Sequence, residues 1–116
     1  MEAVGVLVIE RDAAEATLIR AALARCTEVQ AVDSLTEPSA PIALAIAGAK
    51  ALAQATDELK ELQARGIPVV AVAASLSQKA RKRALAAGVR EIHERPREWQ
   101  PYSELIESLV TRFVRT

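Results

Sequence analysis

Aromatic residues are almost missing from this chain, which has one Trp, one Tyr and one Phe among its 116 residues. A buried core must therefore be built from Ala, Val, Leu and Ile. Cys26 is the single cysteine, which excludes an internal disulfide and fits a reducing compartment. No stretch approaches the ~20 apolar residues of a membrane span, and the first residues lack a signal-peptide pattern. We expect a cytoplasmic protein.

Net charge is missing as well, because 15 basic residues balance 15 acidic ones. No overall field draws the chain toward nucleic acid or an anionic membrane. Basic residues are also not interleaved with the aromatic residues that stack on bases. The absence of a net field favours a protein as the partner. The length fits a single domain, 1–116.

The chain contains five apolar segments, which alternate with segments of helical periodicity. They predict strands over Val4–Ile9, Glu28–Val32, Ile42–Ile46, Ile67–Ala73 and Val89–His93. Strands separated by helices indicate a parallel sheet with right-handed crossovers and helices on both faces. Between Val32 and Ile42 only DSLTEPSAP remains, so the second helix is predicted to be short or absent.

Capping signals predict where the helices begin and end. Asp12 is the expected N-cap of the first helix, and Glu15 completes a capping-box pattern. The buried stripe of that helix is predicted to be Ala14, Leu18, Ala21, Ala22 and Leu23. Gly66 is the predicted stop of the next helix, whereas Ser75 or Ser77 caps a helix that ends at Gly88. The last helix is predicted from about Pro101.

Three segments carry a resemblance to a known family. VLVIERD is an apolar strand ending in charged residues, IPVVAVAAS is a strand ending in small residues, and AAGVREIHERP ends in Arg-Pro. In this order and spacing they resemble the receiver domain of two-component response regulators. The resemblance implies an α/β flavodoxin-like (CheY-like) three-layer sandwich with a five-stranded parallel sheet in the order 2-1-3-4-5.

The family's phosphorylation pocket is degenerate in this sequence. Ala47 matches the acceptor Asp, Arg11 matches one of two Mg²⁺-binding acids, and Arg95 matches the family's Lys. The residues at the family's pocket positions are Glu10, Arg11, Asp12, Ala47, Ala73, Arg95 and Pro96. Only Pro96 is the residue that the family has at this position, and in the family the peptide bond before this proline is cis. No nucleophile is present, and a guanidinium in the metal site opposes a dication. We therefore expect no catalytic residue, no metal and no cofactor.

The charged pocket has two interpretations. Arg11 and Arg95 could bind an anionic ligand in place of the metal and the lysine. Alternatively, the two arginines pair with Glu10 and Asp12 and lock the fold in one state. We favour the second interpretation and predict that Arg95 pairs with Glu10 or Asp12.

A candidate interaction face follows from the resemblance, in which the fourth helix, fifth strand and last helix form the output and dimer surface. Its residues here are Lys79, Arg81, Lys82, Arg83, Ile92, Glu104 and Glu107. Ile92 matches the switch aromatic. A basic helix beside an acidic one could pair reciprocally in a homodimer; a solvated helix face is the alternative.

The sequence is thus interpreted as a non-phosphorylatable, non-enzymatic receiver-like signalling domain of a two-component or phosphorelay regulator, acting through protein contacts or dimerisation. The alternative is a small anionic-ligand-binding or enzymatic protein on a flavodoxin-like fold. The first strand runs directly into ERDAAEA, without the glycine-rich phosphate loop that would support the alternative.

Overall fold

The computed structural model describes residues 4–10, 12–26, 29–32, 41–48, 51–52, 56–74 and 76–114. Five strands lie within this part: β1 Val4–Ile9, β2 Val29–Val32, β3 Ile42–Ala47, β4 Val69–Ala73 and β5 Val89–Glu94. The helices are α1 Ala13–Leu23, α2 Thr56–Ala64, α3 Gln78–Ala86 and α4 Trp99–Phe113. The segment for which a short or absent helix was predicted, 33–40, lies outside the described residues, as do Arg11 and Ser75.

The five strands form one sheet in the order β2-β1-β3-β4-β5, and every neighbouring pair is parallel. Side chains from α1 and α4 join the hydrophobic cluster on one face of the sheet. Side chains from α2 and α3 join the cluster on the other face. The protein is therefore a three-layer α/β sandwich of the flavodoxin-like type, as predicted.

The two hydrophobic clusters contain alternate residues of β1, an interior strand of the sheet. Val6 and Val8 of β1 pack with α1 and α4, whereas Leu7 and Ile9 pack with α2 and α3. This alternation explains the continuous apolar run at the start of the sequence, because a strand covered on both faces needs apolar residues at every position.

The predicted stripe of α1 was partly wrong. Ala22 and Leu23 are buried, but Ala14 and Ala21 are exposed, and Ala16 and Ile19 occupy the buried face instead. Ile19 is only 1% exposed. Residues 16, 19 and 23 lie on the one face of the helix that packs against the sheet. Ala14 and Ala21 lie on other sides of the helix and are therefore exposed.

Helix ends follow the capping signals. An Asp12 Oδ1 atom accepts hydrogen bonds from the backbone N–H of Ala14 at 3.0 Å and of Glu15 at 3.3 Å. The Ser77 hydroxyl accepts one from Ala80 at 3.1 Å, so Ser77 caps α3. Gly88 follows α3 with a φ of 102°, a conformation that disfavours residues with a Cβ atom. The last helix begins at Trp99, two residues before the predicted Pro101.

Within the described part of the chain, no helix is both long enough and apolar enough to cross a membrane.

Candidate functional site

The candidate site lies at the edge of the sheet where β1, β3 and β4 end. Ile9 of β1 pairs with Ala47 of β3, and Ala73 closes β4. A cleft of about 180 Å³ opens at this edge, lined by Glu10, Asp12, Glu15, Val72, Ala73, Ala74 and Arg95. Ala47 is fully buried. This is the edge at which parallel α/β sheets hold their ligands, and the chain presents an alanine where the family resemblance implies the phosphoryl acceptor.

Glu10 covers the end of β3. Its carboxylate Oε1 accepts a hydrogen bond from the backbone N–H of Asp12 at 3.1 Å. A Cβ atom placed on Gly48 would lie 1.2 Å from Oε2 of Glu10. The carboxylate therefore occupies the space that a side chain after Ala47 would need, so a larger residue at Gly48 must displace the Glu10 side chain.

Arg95 pairs with Glu15, so the predicted pairing with Glu10 or Asp12 was wrong. The Arg95 Nη1 atom lies 2.9 Å from Glu15 Oε1, and both side chains are about a quarter exposed, at 28% and 25%. The Arg95 backbone N–H donates to the Ala73 carbonyl at 2.8 Å, which fixes the arginine beside β4. Asp12 caps α1 and Glu10 covers Gly48, so the next carboxylate along α1 is the one that meets the guanidinium.

Tyr102 belongs to the site and was missed in the sequence. The Arg95 guanidinium carbon lies 5.7 Å from the centre of its ring, within the range of a cation–π contact. Tyr102 is 2% exposed, and its hydroxyl has no hydrogen-bond partner among the described residues. Burial, reinforced by the negative charge of Glu15, raises the pKa of Tyr102 to about 12. The sequence did contain a signal for its burial: Tyr102 lies four residues before Ile106 and seven before Leu109, so it extends the buried stripe of the helix.

Trp99 lies beside this tyrosine at the surface. The two rings stack with centroids 6.3 Å apart, and Trp99 remains 40% exposed. Both residues line a second cleft of about 170 Å³ together with Pro96. The described residues contain no cis peptide bond, so the bond before Pro96 is trans and departs from the family's cis form.

The donor set at the site does not fit a divalent cation. Asp12 accepts two backbone hydrogen bonds at the start of α1, and Glu15 is paired with Arg95. Ala47 supplies no oxygen where the resemblance implies a third carboxylate. Magnesium requires near-octahedral oxygen ligands, and the described residues contain no cluster of three His, Cys, Asp or Glu side chains able to hold a metal.

The predicted interaction face is only partly brought together. The four basic residues of α3 are exposed, and Ile92 is half-buried against the cluster beneath α2 and α3. Glu107, however, pairs with Arg25 just after α1 at 3.5 Å, while Arg112 of the same helix pairs with Glu91 of β5. Glu107 thus lies on the α1 flank of α4, away from β5. Glu104 accepts a hydrogen bond from Gln100 at 3.0 Å.

No family model matches the sequence, and no curated protein matches it at a significant level. Solved structures do match. A response regulator in red light signaling of R. palustris has a TM-score of 0.73 at 18% identity, with 97% of this chain and 95% of that chain covered. The phosphorylated cyanobacterial phytochrome response regulator RcpA also has a TM-score of 0.73, at 15% identity, over 97% of this chain and 94% of that one.

A third match is described differently. It is a putative pilus assembly-related protein from Burkholderia pseudomallei, with a TM-score of 0.67 at 15% identity over 96% of this chain and 92% of that chain. Proteins of different described function therefore share this architecture. With its strand order, its layers and these matches, the chain has the fold of the response regulator receiver (CheY-like) domain.

Proposed function

We propose that this chain is a receiver-like signalling domain that is not phosphorylated and acts by binding another protein. The observation that carries the proposal is Ala47, which is fully buried at the end of β3 where the resemblance requires an aspartate. A methyl group cannot accept a phosphoryl group. The carboxylates around it are engaged in a helix cap, an ion pair and the cover over Gly48.

The charged residues of the site support an internal network and not an anion-binding pocket. Arg95 is neutralised by Glu15, and two further carboxylates, Glu10 and Asp12, line the same cleft. Among the described residues, an added anion would meet three carboxylates near one paired guanidinium, which is unfavourable. This arrangement disfavours the alternative of a small anionic-ligand-binding or enzymatic protein on the same fold.

Loss of the switch residues supports a constitutive output surface. Ala73 has no hydroxyl that could hydrogen-bond to a phosphoryl group. Ile92 is packed against the core beside α3. A ligand shifts a conformational equilibrium only through differential binding to the two states. We propose that regulation acts through partner binding, with no chemical event at the pocket.

Self-association is the less favoured form of this interaction. A reciprocal homodimer through α3, β5 and α4 would use Glu104 and Glu107 to meet the basic residues of α3. Glu107 is already paired with Arg25 within the chain. We propose a different protein as the partner.

Acetyl phosphate with Mg²⁺, followed by intact-mass spectrometry, tests the proposal. The wild-type chain should gain no phosphoryl mass. The Ala47→Asp variant should also gain none, because it still lacks the hydroxyl at Ala73 and a suitable set of metal ligands. A labile phosphoryl adduct on the wild type would overturn the proposed function.

A further inference from the structure

A groove of about 160 Å³ runs along the first turns of α3, and its lining shares no residue with that of the degenerate pocket. Its apolar lining comes from Leu52, Leu76, Ala80 and Ala84, and its rim carries Lys79 and Arg83. We call it the α3 groove. The small side chains of Ala80 and Ala84, four residues apart on the helix, leave room between the helix and Leu52.

The cations of α3 have no carboxylate partner within the described chain. Lys79, Arg81, Lys82 and Arg83 are all exposed, and none of them forms an ion pair with a described residue. The helix itself contains no acidic residue. Arg25, Arg65, Arg95 and Arg112 each pair with a carboxylate, whereas other exposed cations also lack a described partner; α3 differs in gathering four such cations within nine residues.

The position of Lys79 adds to this contrast. It is the second residue of α3, near the positive end of the helix dipole, where a cation is unfavourable. Its charge therefore does not stabilise the helix that carries it. An anionic group from outside the chain would offset this charge and that of Arg83.

The apolar lining decides which class of anion fits. Nucleic acid and anionic lipid headgroups would use the charges but leave the groove between Leu52 and Ala80 unfilled. None of the described residues that line the groove is aromatic and able to stack on a base. An acidic protein segment can satisfy both features, because one apolar side chain fills the groove while neighbouring carboxylates meet the rim.

We propose that the α3 groove binds an acidic segment of a partner protein. One apolar side chain of that segment packs between Leu52 and Ala80, and its carboxylates contact Lys79 and Arg83. This inference rests on the proposed function and adds to it the place and the chemistry of the contact. It uses the groove beneath α3 and does not require the α4 flank.

Phage display of random short peptides on the immobilised chain tests the proposal, followed by fluorescence anisotropy with the selected peptides in synthetic form. The selected peptides should be rich in Asp and Glu around a Leu, Ile or Phe. Lys79→Glu with Arg83→Glu should weaken their binding roughly tenfold or more, and added salt should weaken it as well. Ala80→Leu, which fills the groove without changing charge, should also weaken binding.

Arg81→Glu with Lys82→Glu is the matched control, since it makes the same change of charge on the same helix outside the groove lining. It should weaken binding much less. Equal losses in the two double variants, no selection of acidic peptides, or unchanged binding to the Ala80→Leu variant would each overturn the proposal. Equal thermal melting of all variants would show that they are folded.

Other occupants are tested with the same variants. Polyuridine or phosphatidylserine vesicles that bind more tightly than the peptides through Lys79 and Arg83 would overturn the proposal. A dimer in sedimentation that Lys79→Glu with Arg83→Glu dissociates would replace the acidic partner with a second copy. These outcomes are separate from phosphorylation, because an adduct found by mass spectrometry would remove the proposed function and leave the peptide measurements standing.

Discussion

At the scale of single residues, four side chains determine the character of the pocket. Glu15 neutralises Arg95, Arg95 lies over the ring of Tyr102, and Glu10 covers Gly48. The pair of Arg95 with Glu15 and the cover of Glu10 over Gly48 join elements that are distant in the sequence. Together the three contacts hold the described part of this edge of the sheet by packing and charge pairing.

Replacing Arg95 by alanine should lower the free energy of unfolding by about 1–2 kcal/mol. The change removes a partly exposed ion pair and a cation–π contact, and it leaves Glu15 without a partner. Urea denaturation measures the loss. Arg65→Ala is the control, because its pair with Glu61 is about half exposed and should contribute at most about 0.5 kcal/mol. Equal effects of the two substitutions would contradict the proposed network.

Tyr102 should make stability fall at alkaline pH. Its pKa is about 12 in the folded chain against an ordinary value of 10.0, so folding favours the neutral phenol. The contribution is fully present below the unfolded pKa and is lost as pH rises from there through about 12. Tyr102→Phe should remove this dependence and leave stability at neutral pH unchanged or up to about 1 kcal/mol higher.

Absorbance of the phenolate measures the same property directly, because Tyr102 is the only tyrosine of the chain. The titration midpoint of the native protein should lie well above that of the chain unfolded in urea. Coincident midpoints would contradict the burial of the hydroxyl.

At the scale of elements, the join between β1 and β3 depends on a residue without a side chain. Gly48 follows β3, and the Glu10 carboxylate, which follows β1, fills the space where a side chain of residue 48 would lie. Gly88 and Gly66 end their helices with positive φ angles. Glycine thus has two separate uses in this fold, close approach at the pocket and left-handed backbone at helix ends.

Gly48→Ala should destabilise the wild type by about 1 kcal/mol, because the new methyl group must displace the Glu10 side chain. In the Glu10→Ala background the same substitution should be neutral or stabilising by about 0.4–1 kcal/mol, as it restricts the unfolded chain. A double-mutant cycle by chemical denaturation measures this coupling. Additive effects would mean that Glu10 does not cover the end of β3.

Elements were more predictable than the contacts between them. The continuous run Val4–Ile9 and the cap at Asp12 depend on neighbours in the sequence, and both were predicted correctly. The partner of Arg95 was not, because Glu10, Asp12 and Glu15 all lie near the same edge and only the packed fold selects among them. Tyr102 was missed because its signal in the sequence is its spacing from Ile106 and Leu109, which indicates burial but not a contact with Arg95.

At the scale of the whole molecule, the pocket and the α3 groove are separate. The pocket lies at the carboxyl edge of the sheet, and α3 carries cations without a described carboxylate partner beside an apolar groove. The parallel sheet with helices on both faces was predictable from the alternation of segments, and the strand order from the family resemblance. The pairing of the exposed charges could not be predicted, because Glu107 meets Arg25 only through the packing of α4 near the end of α1.

The central claim is that this receiver fold has no phosphoryl or metal switch, and one measurement tests it most directly. Amide ¹H–¹⁵N correlation spectra of the chain are recorded before and after adding Mg²⁺ with acetyl phosphate. We predict that the resonances of Ala47, Ala73 and Arg95, and those of α3 and β5, do not change. Shifts that begin at the pocket and extend to Ile92 and α3 would show a working switch and contradict the account.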